Sequence, residues 1–417
     1  MINQKNGRCA KSMFFIFFIF IFFFVNFCRA QSIGYAIVGD HNRMSVTFEN
    51  LNNLVVMPVK INGLLPSKFI LDSGVSLTLL TEKALCDILE IPCDRRISLP
   101  VIGLLDSITG CIATGVKIDL PGVKSHGQNL VVLDEDYLNL KSFLGNNVQG
   151  IIGYDLFRNF VVDVDYINKI VTLIQPGHFR PPRKYEKISV EMISNRPYIQ
   201  CEATDENGYS HTLTMLVDLG ASFAIMFEID SAQVVGIPST NLETVVGRGL
   251  GGDIAGYVGR IKQFKIGSYV LDDVIASFYD KYRTHDVIPE VRQGAIGGDV
   301  LSRFQLIIDY PGKAIYLKRN FSFNRSFEFN LSGIEMVASG IGLNLYTITR
   351  VIPRSPADRA GILPGDRIVM FNGKSTEEMA LNELNHELRL KPGKKIWLRL
   401  ERNGQRIKRS FKLERSI

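Results

Sequence analysis

The chain of 417 residues lacks the sequence marks of several enzyme classes. Its six histidines are scattered singly, and no cysteines and histidines show the paired spacing of a metal site. It contains neither the Gly-x-Ser-x-Gly turn of a serine hydrolase nor the His-Glu-x-x-His helix of a zinc peptidase. We therefore expect neither a metal site nor a cofactor.

Positive charge is concentrated at the two ends of the chain. The net charge of +6 combines +4 in residues 1–30, +7 in residues 332–417 and −5 between them. A mildly acidic middle gives no reason to expect a nucleic acid partner. The basic C-terminal end alternates with apolar residues, and we interpret it as a strand pair with one solvated face rather than as a membrane or anionic-partner patch.

The N-terminus carries thirteen consecutive apolar residues at 13–25, preceded by three cations. Small residues follow at Cys28 and Ala30, the positions that a signal peptidase reads. We predict a signal peptide over residues 1–30, and an exported protein that is periplasmic or secreted. An uncleaved membrane anchor stays open, although the run is short for a span of about 20 residues. A lipidated Cys28 also stays open, although Phe27 is bulky for that signal.

Four cysteines follow this segment, at Cys86, Cys93, Cys111 and Cys201. In an exported chain they allow three disulfide pairings, and sequence alone does not choose among them. The simplest pairing joins Cys86 to Cys93, which are seven residues apart. The alternative is four buried free thiols.

The middle of the chain uses one pattern twice. An apolar run ends in Asp-x-Gly at Asp72 and again at Asp218, and a later glycine-rich segment ends at Asp155 and again at Asp299. The first pair is 146 residues apart and the second pair 144. Because the two pairs of aspartates have nearly the same separation, we predict a domain-sized unit that occurs twice.

These repeats resemble the two lobes of an aspartic protease of the pepsin and retropepsin kind, over residues 51–319. The resemblance implies a mainly β fold, a bilobal double β-barrel with lobes at residues 31–178 and 179–322. It implies that Asp72 and Asp218 form a catalytic dyad. It also implies that the turns and their bracing strands support the dyad through Ser73, Gly74, Leu219, Gly220, Gly153 and Gly297.

The second repeat departs from the family pattern at Leu219. The family places Thr or Ser after each Asp, and the hydroxyl bonds across the lobe interface. Ser73 supplies that hydroxyl once, whereas Leu219 has none, so half of this clamp is missing. Val75 and Ala221 also lack the hydroxyl that pepsin-like enzymes often keep near the carboxylate.

In this family a hairpin overhangs the cleft as a flap, and each repeat has a candidate segment. The stretch at residues 247–252 is rich in glycine but lacks the Lys-Ser/Thr of a phosphate-binding loop. The flap candidates are Asp106 and Ser107 in the first repeat, and Gly249, Leu250 and Gly251 in the second.

A third module follows at residues 323–417. Its string Ser-Pro-Ala-x-x-Ala-Gly-x-x-x-Gly-Asp-x-Ile, at residues 355–368, resembles that of a bacterial PDZ domain. The resemblance implies a small α+β domain with a groove lined by a helix at residues 379–390. It also implies a loop that binds a peptide carboxylate, formed by Gly340, Ile341, Gly342, Leu343 and Asn344.

Together these features predict an exported aspartic endopeptidase with a PDZ module for substrate recruitment or regulation. Its partners would be a peptide or protein substrate in the cleft and a C-terminal or strand-like peptide at the PDZ groove. A monomer suffices, because one chain carries both half-sites. The alternative is a catalytically degenerate protease fold that acts as a peptide-binding adaptor, and Leu219 favours that alternative.

Overall fold

The computed structural model describes residues 34–101, 105, 107–229, 235–280 and 292–417. The predicted signal peptide and the flap candidate Asp106 lie outside the described residues. Strands make up 51% and helices 10%, which confirms the prediction of a mainly β fold. Among the described residues, no helix has the length and apolarity needed to cross a membrane.

The first repeat forms short strands with small helices between them. Its elements are β1 (Tyr35–Ile37), β2 (Arg43–Thr47), β3 (Glu49–Leu51), β4 (Leu54–Ile61), β5 (Leu65–Leu71), β6 (Leu79–Leu80), α1 (Ala84–Ile88), β7 (Arg95–Pro100), β8 (Ser107–Val116), β9 (Ile118–Asp119), β10 (Val123–Ser125), β11 (Gln128–Leu133), α2 (Leu140–Leu144), β12 (Gly150–Ile152), α3 (Tyr154–Asn159), β13 (Val161–Asp165) and β14 (Ile170–Ile174).

The second repeat has longer strands. Its elements are β15 (Glu186–Ser189), β16 (Glu191–Ile193), β17 (Arg196–Thr204), β18 (Ser210–Val217), β19 (Ile225–Ile229), β20 (Asn241–Gly249), β21 (Gly252–Ile266), β22 (Tyr269–Asp280), β23 (Gly294–Ile296), α4 (Gly298–Leu301), β24 (Phe304–Asp309) and β25 (Ala314–Arg319).

The C-terminal module is a small sheet with two helices. Its elements are β26 (Ile334–Ser339), β27 (Leu345–Val351), α5 (Pro356–Arg359), β28 (Arg367–Phe371), β29 (Lys374–Ser375), α6 (Leu381–Glu387), β30 (Lys395–Arg402) and β31 (Gln405–Lys412).

Asn-Gly pairs form the turns of two of the hairpins. Asn62 and Gly63 join β4 to β5 with φ values of 50° and 71°, and Asn403 and Gly404 join β30 to β31 with φ values of 50° and 76°. Two consecutive residues with positive φ form the turn type whose twist matches antiparallel strands, and Asn and Gly tolerate that backbone best. The local sequence thus sets these strand registers.

Each repeat builds its own large sheet, and the two repeats also share a third. The shared sheet has the order β15-β25-β24-β13-β14-β2. Its centre is the antiparallel pair β13–β24, one strand from each repeat, in which Val162 lies opposite Ile308 and Val164 opposite Leu306. All four residues are fully buried. This sheet ties the two lobes together beneath their apolar core.

The largest hydrophobic cluster contains buried side chains of both lobes, whereas the C-terminal module has its own cluster. The module also contacts the first lobe. The side-chain oxygen of Asn382 accepts from the N–H of Asn52 at 3.2 Å, and its amide nitrogen donates to the carbonyl of Asn50 at 3.3 Å. The module is therefore docked on the lobe while keeping a separate core.

Both predictions for the cysteines were wrong, the Cys86–Cys93 bond and the alternative of four free thiols. The bond joins Cys93 to Cys111, whereas Cys86 and Cys201 are buried free thiols. Cys86 lies on α1 with its side chain in the core, so it does not face Cys93. Cys93 instead lies beside β8, where the β7–β8 hairpin places Cys111.

This bond predicts a specific stability loss. The disulfide closes a separation of 18 residues, so the double variant Cys93→Ala/Cys111→Ala should lower the free energy of unfolding by about 3 kcal/mol. Denaturant titration of residues 31–417, made in an oxidising compartment, measures this loss. Thiol titration of the denatured, unreduced parent should find two thiols, and a count of four or none would contradict the pairing.

Candidate active site

Each Asp-x-Gly turn follows a buried strand that is braced by a parallel neighbour. Strand β5 pairs in parallel with β12, and β18 pairs in the same way with β23. The N–H of Asp72 donates to the carbonyl of Ile152 at 2.9 Å, and the N–H of Asp218 donates to that of Ile296 at 2.9 Å. The two aspartates therefore leave equivalent strands at equivalent positions.

The glycines of the two turns allow the turns to meet. A Cβ at Gly74 would lie 3.0 Å from the carboxyl carbon of Asp218. A Cβ at Gly220 would overlap the carboxyl group of Asp72. Any larger residue at either position would push the two loops apart.

The glycines that follow the bracing strands lie against the loops that carry the aspartates. A Cβ at Gly153 would overlap the carbonyl oxygen of Val75, and a Cβ at Gly297 would overlap that of Phe223. Glycine at these positions lets each bracing strand lie directly against the loop that carries the aspartate. The six predicted support residues all lie in the turns or at the bracing strands, while their catalytic function stays a prediction.

The structure brings the two carboxyl groups together. Each carboxyl group lies against the glycine of the opposite turn, which places the two side chains next to each other. The N–H of Gly74 donates to Oδ1 of Asp72 at 2.6 Å, and the N–H of Gly220 donates to Oδ1 of Asp218 at 2.9 Å. Both aspartates are partly exposed, so a molecule in the cleft can reach them.

Burial and mutual repulsion hold a proton on this pair. The pKa of Asp72 is raised well above its ordinary value, first by burial and then by the charge of Asp218. Burial also raises the pKa of Asp218, but the charge of Arg292 opposes that effect. Two carboxyl groups this close cannot both ionise without a large cost in free energy, so they hold one proton between them.

Ser73 clamps the two loops across the lobe interface. Its Oγ donates to the carbonyl of Val217 at 2.7 Å and accepts from the N–H of Leu219 at 3.0 Å. One buried hydroxyl thus satisfies two backbone groups of the other lobe. Leu219 is fully buried and packs into the core, so it returns no such bond from its side chain.

Tyr310 forms a second hydrogen bond between the lobes, which the sequence analysis did not predict. Its hydroxyl donates to the carbonyl of Ser73 at 2.8 Å, and its ring stacks on Phe157 at 5.0 Å between centroids. The repeat contained a signal for this residue, because Tyr166 occupies the equivalent position, at the end of the matching apolar run in the first lobe. The Tyr166 hydroxyl has no hydrogen-bond partner among the described residues, so this tie also occurs once.

The described residues contain neither a cluster that could bind a metal ion nor a reactive free thiol. No three His, Cys, Asp or Glu side chains are grouped there in a way that could hold a metal ion. Burial raises the pKa of the free thiol of Cys86 to about 11 and raises that of Cys201 further, so neither is a thiolate at neutral pH.

The comparisons with protein families agree with this geometry. The family described as aspartyl protease matches residues 57–156 and again residues 203–300, and the PDZ domain family matches residues 347–402. The chain contains two aspartyl protease domains in tandem and a C-terminal PDZ domain. The predicted domain boundaries beyond these matches stay a prediction.

Curated relatives match over shorter stretches. A probable CtpA-like serine protease of Staphylococcus saprophyticus is 33% identical over 137 residues, which is 32% of this chain and 26% of that protein. The carboxy-terminal processing protease CtpB of Bacillus subtilis is 33% identical over 90 residues, which is 20% of this chain and 18% of that protein. The processing protease CtpA of the same organism is 46% identical over 57 residues, or 14% and 12%. The chain thus spans about a quarter or less of these relatives.

Flap candidates of the second aspartyl protease domain contact the first domain. Gly249, Leu250 and Gly251 form the turn of the β20–β21 hairpin, and Ser107 begins β8. The N–H of Leu105 donates to the carbonyl of Gly251 at 2.9 Å, and Leu250 packs against a hydrophobic cluster of the first domain. The second domain therefore reaches across to the first.

The predicted carboxylate loop of the PDZ domain is a hairpin turn. Residues 340–344 join β26 to β27, and the side chain of Ile341 is fully exposed. Strand β26 is an edge of the PDZ sheet, and it packs against α2 of the first protease domain. Peptide binding by residues 340–344 stays a prediction.

The clamp predicts a loss of stability in the variant Ser73→Ala. Removal of the hydroxyl leaves the carbonyl of Val217 and the N–H of Leu219 buried without their partner, which costs about 2–4 kcal/mol of unfolding free energy. Ser98→Ala, at an exposed site on β7, is the matched control and should change stability by less than about 0.5 kcal/mol. Equal effects in the two variants, measured by denaturant titration, would contradict the clamp.

Proposed function

We propose that this chain is an exported aspartic endopeptidase. The observation that carries the proposal is the close pair of Asp72 and Asp218, each at the end of a braced strand and each held by a glycine N–H. Export is inferred from the leader-like residues 1–30. The tandem domains supply both half-sites, so a monomer is sufficient.

The geometry supports direct attack by water. The ionised carboxylate of the pair takes a proton from a water held between the two groups, and that water attacks the peptide carbonyl. The protonated carboxyl group donates to the carbonyl oxygen and stabilises its developing negative charge. No covalent intermediate is formed with the protein.

The substrate would lie extended in the cleft beneath the two hairpins. Backbone hydrogen bonds to an extended segment give affinity that is independent of sequence, and side-chain pockets then select the residues. A backbone hydrogen bond joins Leu105 to Gly251, so we expect a substrate that enters beneath the hairpins to break this bond.

The names of the curated relatives point to serine chemistry in those proteins, not in this chain. The matched stretches cover 12–26% of the relatives, so their catalytic residues do not transfer. The aspartyl protease matches in this chain instead contain both Asp72 and Asp218. We therefore propose aspartic catalysis for this protein.

A non-catalytic peptide receptor is the second candidate, and the observation that favours it is Leu219. Because the buried Leu219 has no hydroxyl, only Ser73 forms the side-chain hydrogen bonds that clamp the two loops. Loss of a hydrogen bond that positions catalytic groups can lower the rate strongly. Under this reading the cleft binds an extended peptide and releases it intact. The retained carboxyl pair is what favours the peptidase.

Asp72→Asn separates the two candidates. We expect residues 31–417 to cleave a denatured protein mixture in the range of about pH 4 to 7, and we expect Asp72→Asn to reduce cleavage at least 10³-fold, because the variant cannot share a proton with Asp218. A serine-directed acylating reagent should leave the parent rate unchanged.

The matched control is Asp119→Asn, at a carboxylate that pairs with Lys124 away from the cleft. This control should cleave at the parent rate. Folded parent and folded variant that both bind peptide without cleaving it would contradict the peptidase and support the receptor.

For the PDZ domain we propose regulation of the cleft. Its α6 bonds to the first protease domain through Asn382, and its edge strand β26 packs on α2 of that domain. On β26, Glu335 pairs with Arg350 and faces Arg248, which lies two residues before the turn of the flap hairpin. A peptide that adds to β26 would therefore disturb contacts that reach the flap.

A peptide with an apolar C-terminus, added in trans, tests this proposal. We expect it to raise kcat/KM several-fold for a substrate that lacks a free C-terminus, because it opens the contact between β26 and α2. The amidated form of the same peptide is the control. An unchanged or lowered rate would contradict regulation and favour recruitment of substrate.

A further inference from the structure

In the first turn, one peptide group forms hydrogen bonds through both its N–H and its carbonyl. The N–H of Gly74 donates to Oδ1 of Asp72 at 2.6 Å, and the carbonyl of Ser73 accepts from the Tyr310 hydroxyl at 2.8 Å. Because a peptide group is planar, this carbonyl and this N–H belong to one rigid unit. The Tyr310 hydroxyl therefore acts on the same group that binds the carboxyl group of Asp72.

The second turn has the corresponding N–H bond, but its equivalent tyrosine makes no such contact. The N–H of Gly220 donates to Oδ1 of Asp218 at 2.9 Å. Tyr166 is the repeat equivalent of Tyr310, because each directly follows its strand, β13 or β24, and they keep the 144-residue spacing of the repeat. The Tyr166 hydroxyl has no hydrogen-bond partner among the described residues. The bond from a tyrosine to the turn therefore belongs to the first turn.

Tyr310 belongs to the second lobe by sequence but packs against the first. It follows β24, which pairs with β13 at the centre of the shared sheet. Its ring stacks on Phe157 at 5.0 Å between centroids and lies 6.1 Å from the ring of Tyr154, and both of these residues are on α3 of the first lobe. The residue is 6% exposed. The packed ring thus holds its hydroxyl at the carbonyl of Ser73.

The helix that supports the ring also holds the turn. The N–H of Tyr154, the first residue of α3, donates to the carbonyl of Val75 at 3.1 Å. Together with the bond from Tyr310 to Ser73, this fixes two of the carbonyls that follow Asp72. The first turn is therefore held through its backbone by two tyrosines that pack together.

A hydrogen bond to the carbonyl also affects the N–H of the same peptide group. Hydrogen bonds in a chain polarise one another, so a donor at the carbonyl makes the N–H a stronger donor. The two turns agree with this effect. The bond from Gly74, with a tyrosine hydroxyl on its peptide group, is 2.6 Å long, whereas the bond from Gly220 is 2.9 Å long.

We propose that Tyr310 is a positioning residue for Asp72, and that it acts through the peptide group between Ser73 and Gly74. Its hydroxyl does not touch the reacting atoms. It fixes and polarises the N–H that holds the Asp72 carboxyl group beside Asp218. This inference rests on the proposed peptidase for its catalytic meaning.

The bond from Tyr310 also fills the gap that Leu219 leaves. Ser73, in the first lobe, gives its hydroxyl to the backbone of the second turn. Leu219 has no hydroxyl to return, but Tyr310 of the same lobe gives one to the backbone of the first turn. Each turn is therefore held by one hydroxyl from the opposite lobe.

The first test is an NMR measurement at the Gly74 amide, which needs no turnover. The sequence contains three Ser-Gly pairs, at 73–74, 332–333 and 339–340. Residues 31–417 made by cell-free synthesis with ¹³C-carbonyl serine and ¹⁵N-glycine give carbonyl-edited signals from these three amides. Tyr310→Phe keeps the ring and removes the hydroxyl. We expect its Gly74 amide proton to move upfield, because the hydrogen bond to Asp72 weakens, while the signals of Gly333 and Gly340 stay in place.

The second test is turnover of a defined peptide by the same proteins. We expect Tyr310→Phe to lower kcat by about 10- to 100-fold, because a misplaced carboxyl group slows the chemical step. KM should change by less than about twofold, because the interactions that bind the peptide are retained. Near-ultraviolet circular dichroism checks in parallel that the variant is folded.

Tyr166→Phe is the matched control, because it makes the same change at the equivalent position, where the hydroxyl has no partner among the described residues. It should leave the Gly74 signal and kcat at their parent values. If Tyr310→Phe is unstable, all three proteins are compared with a stabilising osmolyte present.

Three results would overturn the assignment. They are a Gly74 signal at the parent position in folded Tyr310→Phe, a parent kcat in that variant, and equal effects of Tyr166→Phe. If the parent does not cleave peptides, the peptidase proposal fails separately, and the Gly74 signal still decides whether Tyr310 acts on the group that binds Asp72.

Discussion

Two carboxyl groups held next to each other impose the constraint on which the rest of the structure depends. Each sits at the end of a buried strand, where an unpaired charge would be costly. The glycine turns remove the side chains that would separate the two loops, and the bracing strands hold those loops from behind. The sheet shared by the lobes fixes the distance between the two halves.

The two halves of this site have diverged in complementary ways. The first lobe supplies the clamping hydroxyl of Ser73, and in the second lobe the backbone N–H of the buried Leu219 donates to it. The second lobe in turn supplies Tyr310, which bonds back to the carbonyl of Ser73, and the Arg292–Glu228 pair. The two halves of the site are therefore not equivalent in the groups that surround their aspartates.

The repeat made the dyad and its glycines predictable, because Asp72 and Asp218 occur in matching apolar runs at nearly constant spacing. Ion pairs and disulfides between residues that are distant in sequence could not be predicted from the repeat. Arg292 and Glu228 are 64 residues apart and meet only when β19 pairs with β23. The Cys93–Cys111 bond was missed for a related reason: closeness in sequence favoured Cys86, but the β7–β8 hairpin decides the partner.

The measurement that tests the central claim most directly is cleavage of a defined peptide in ¹⁸O-water with hydroxylamine present. Direct attack by water on a carbonyl polarised by the aspartate pair predicts one ¹⁸O atom in each new carboxyl group and no hydroxamate. A hydroxamate at the cleaved end would reveal an acyl-enzyme, and would contradict aspartic catalysis by this chain.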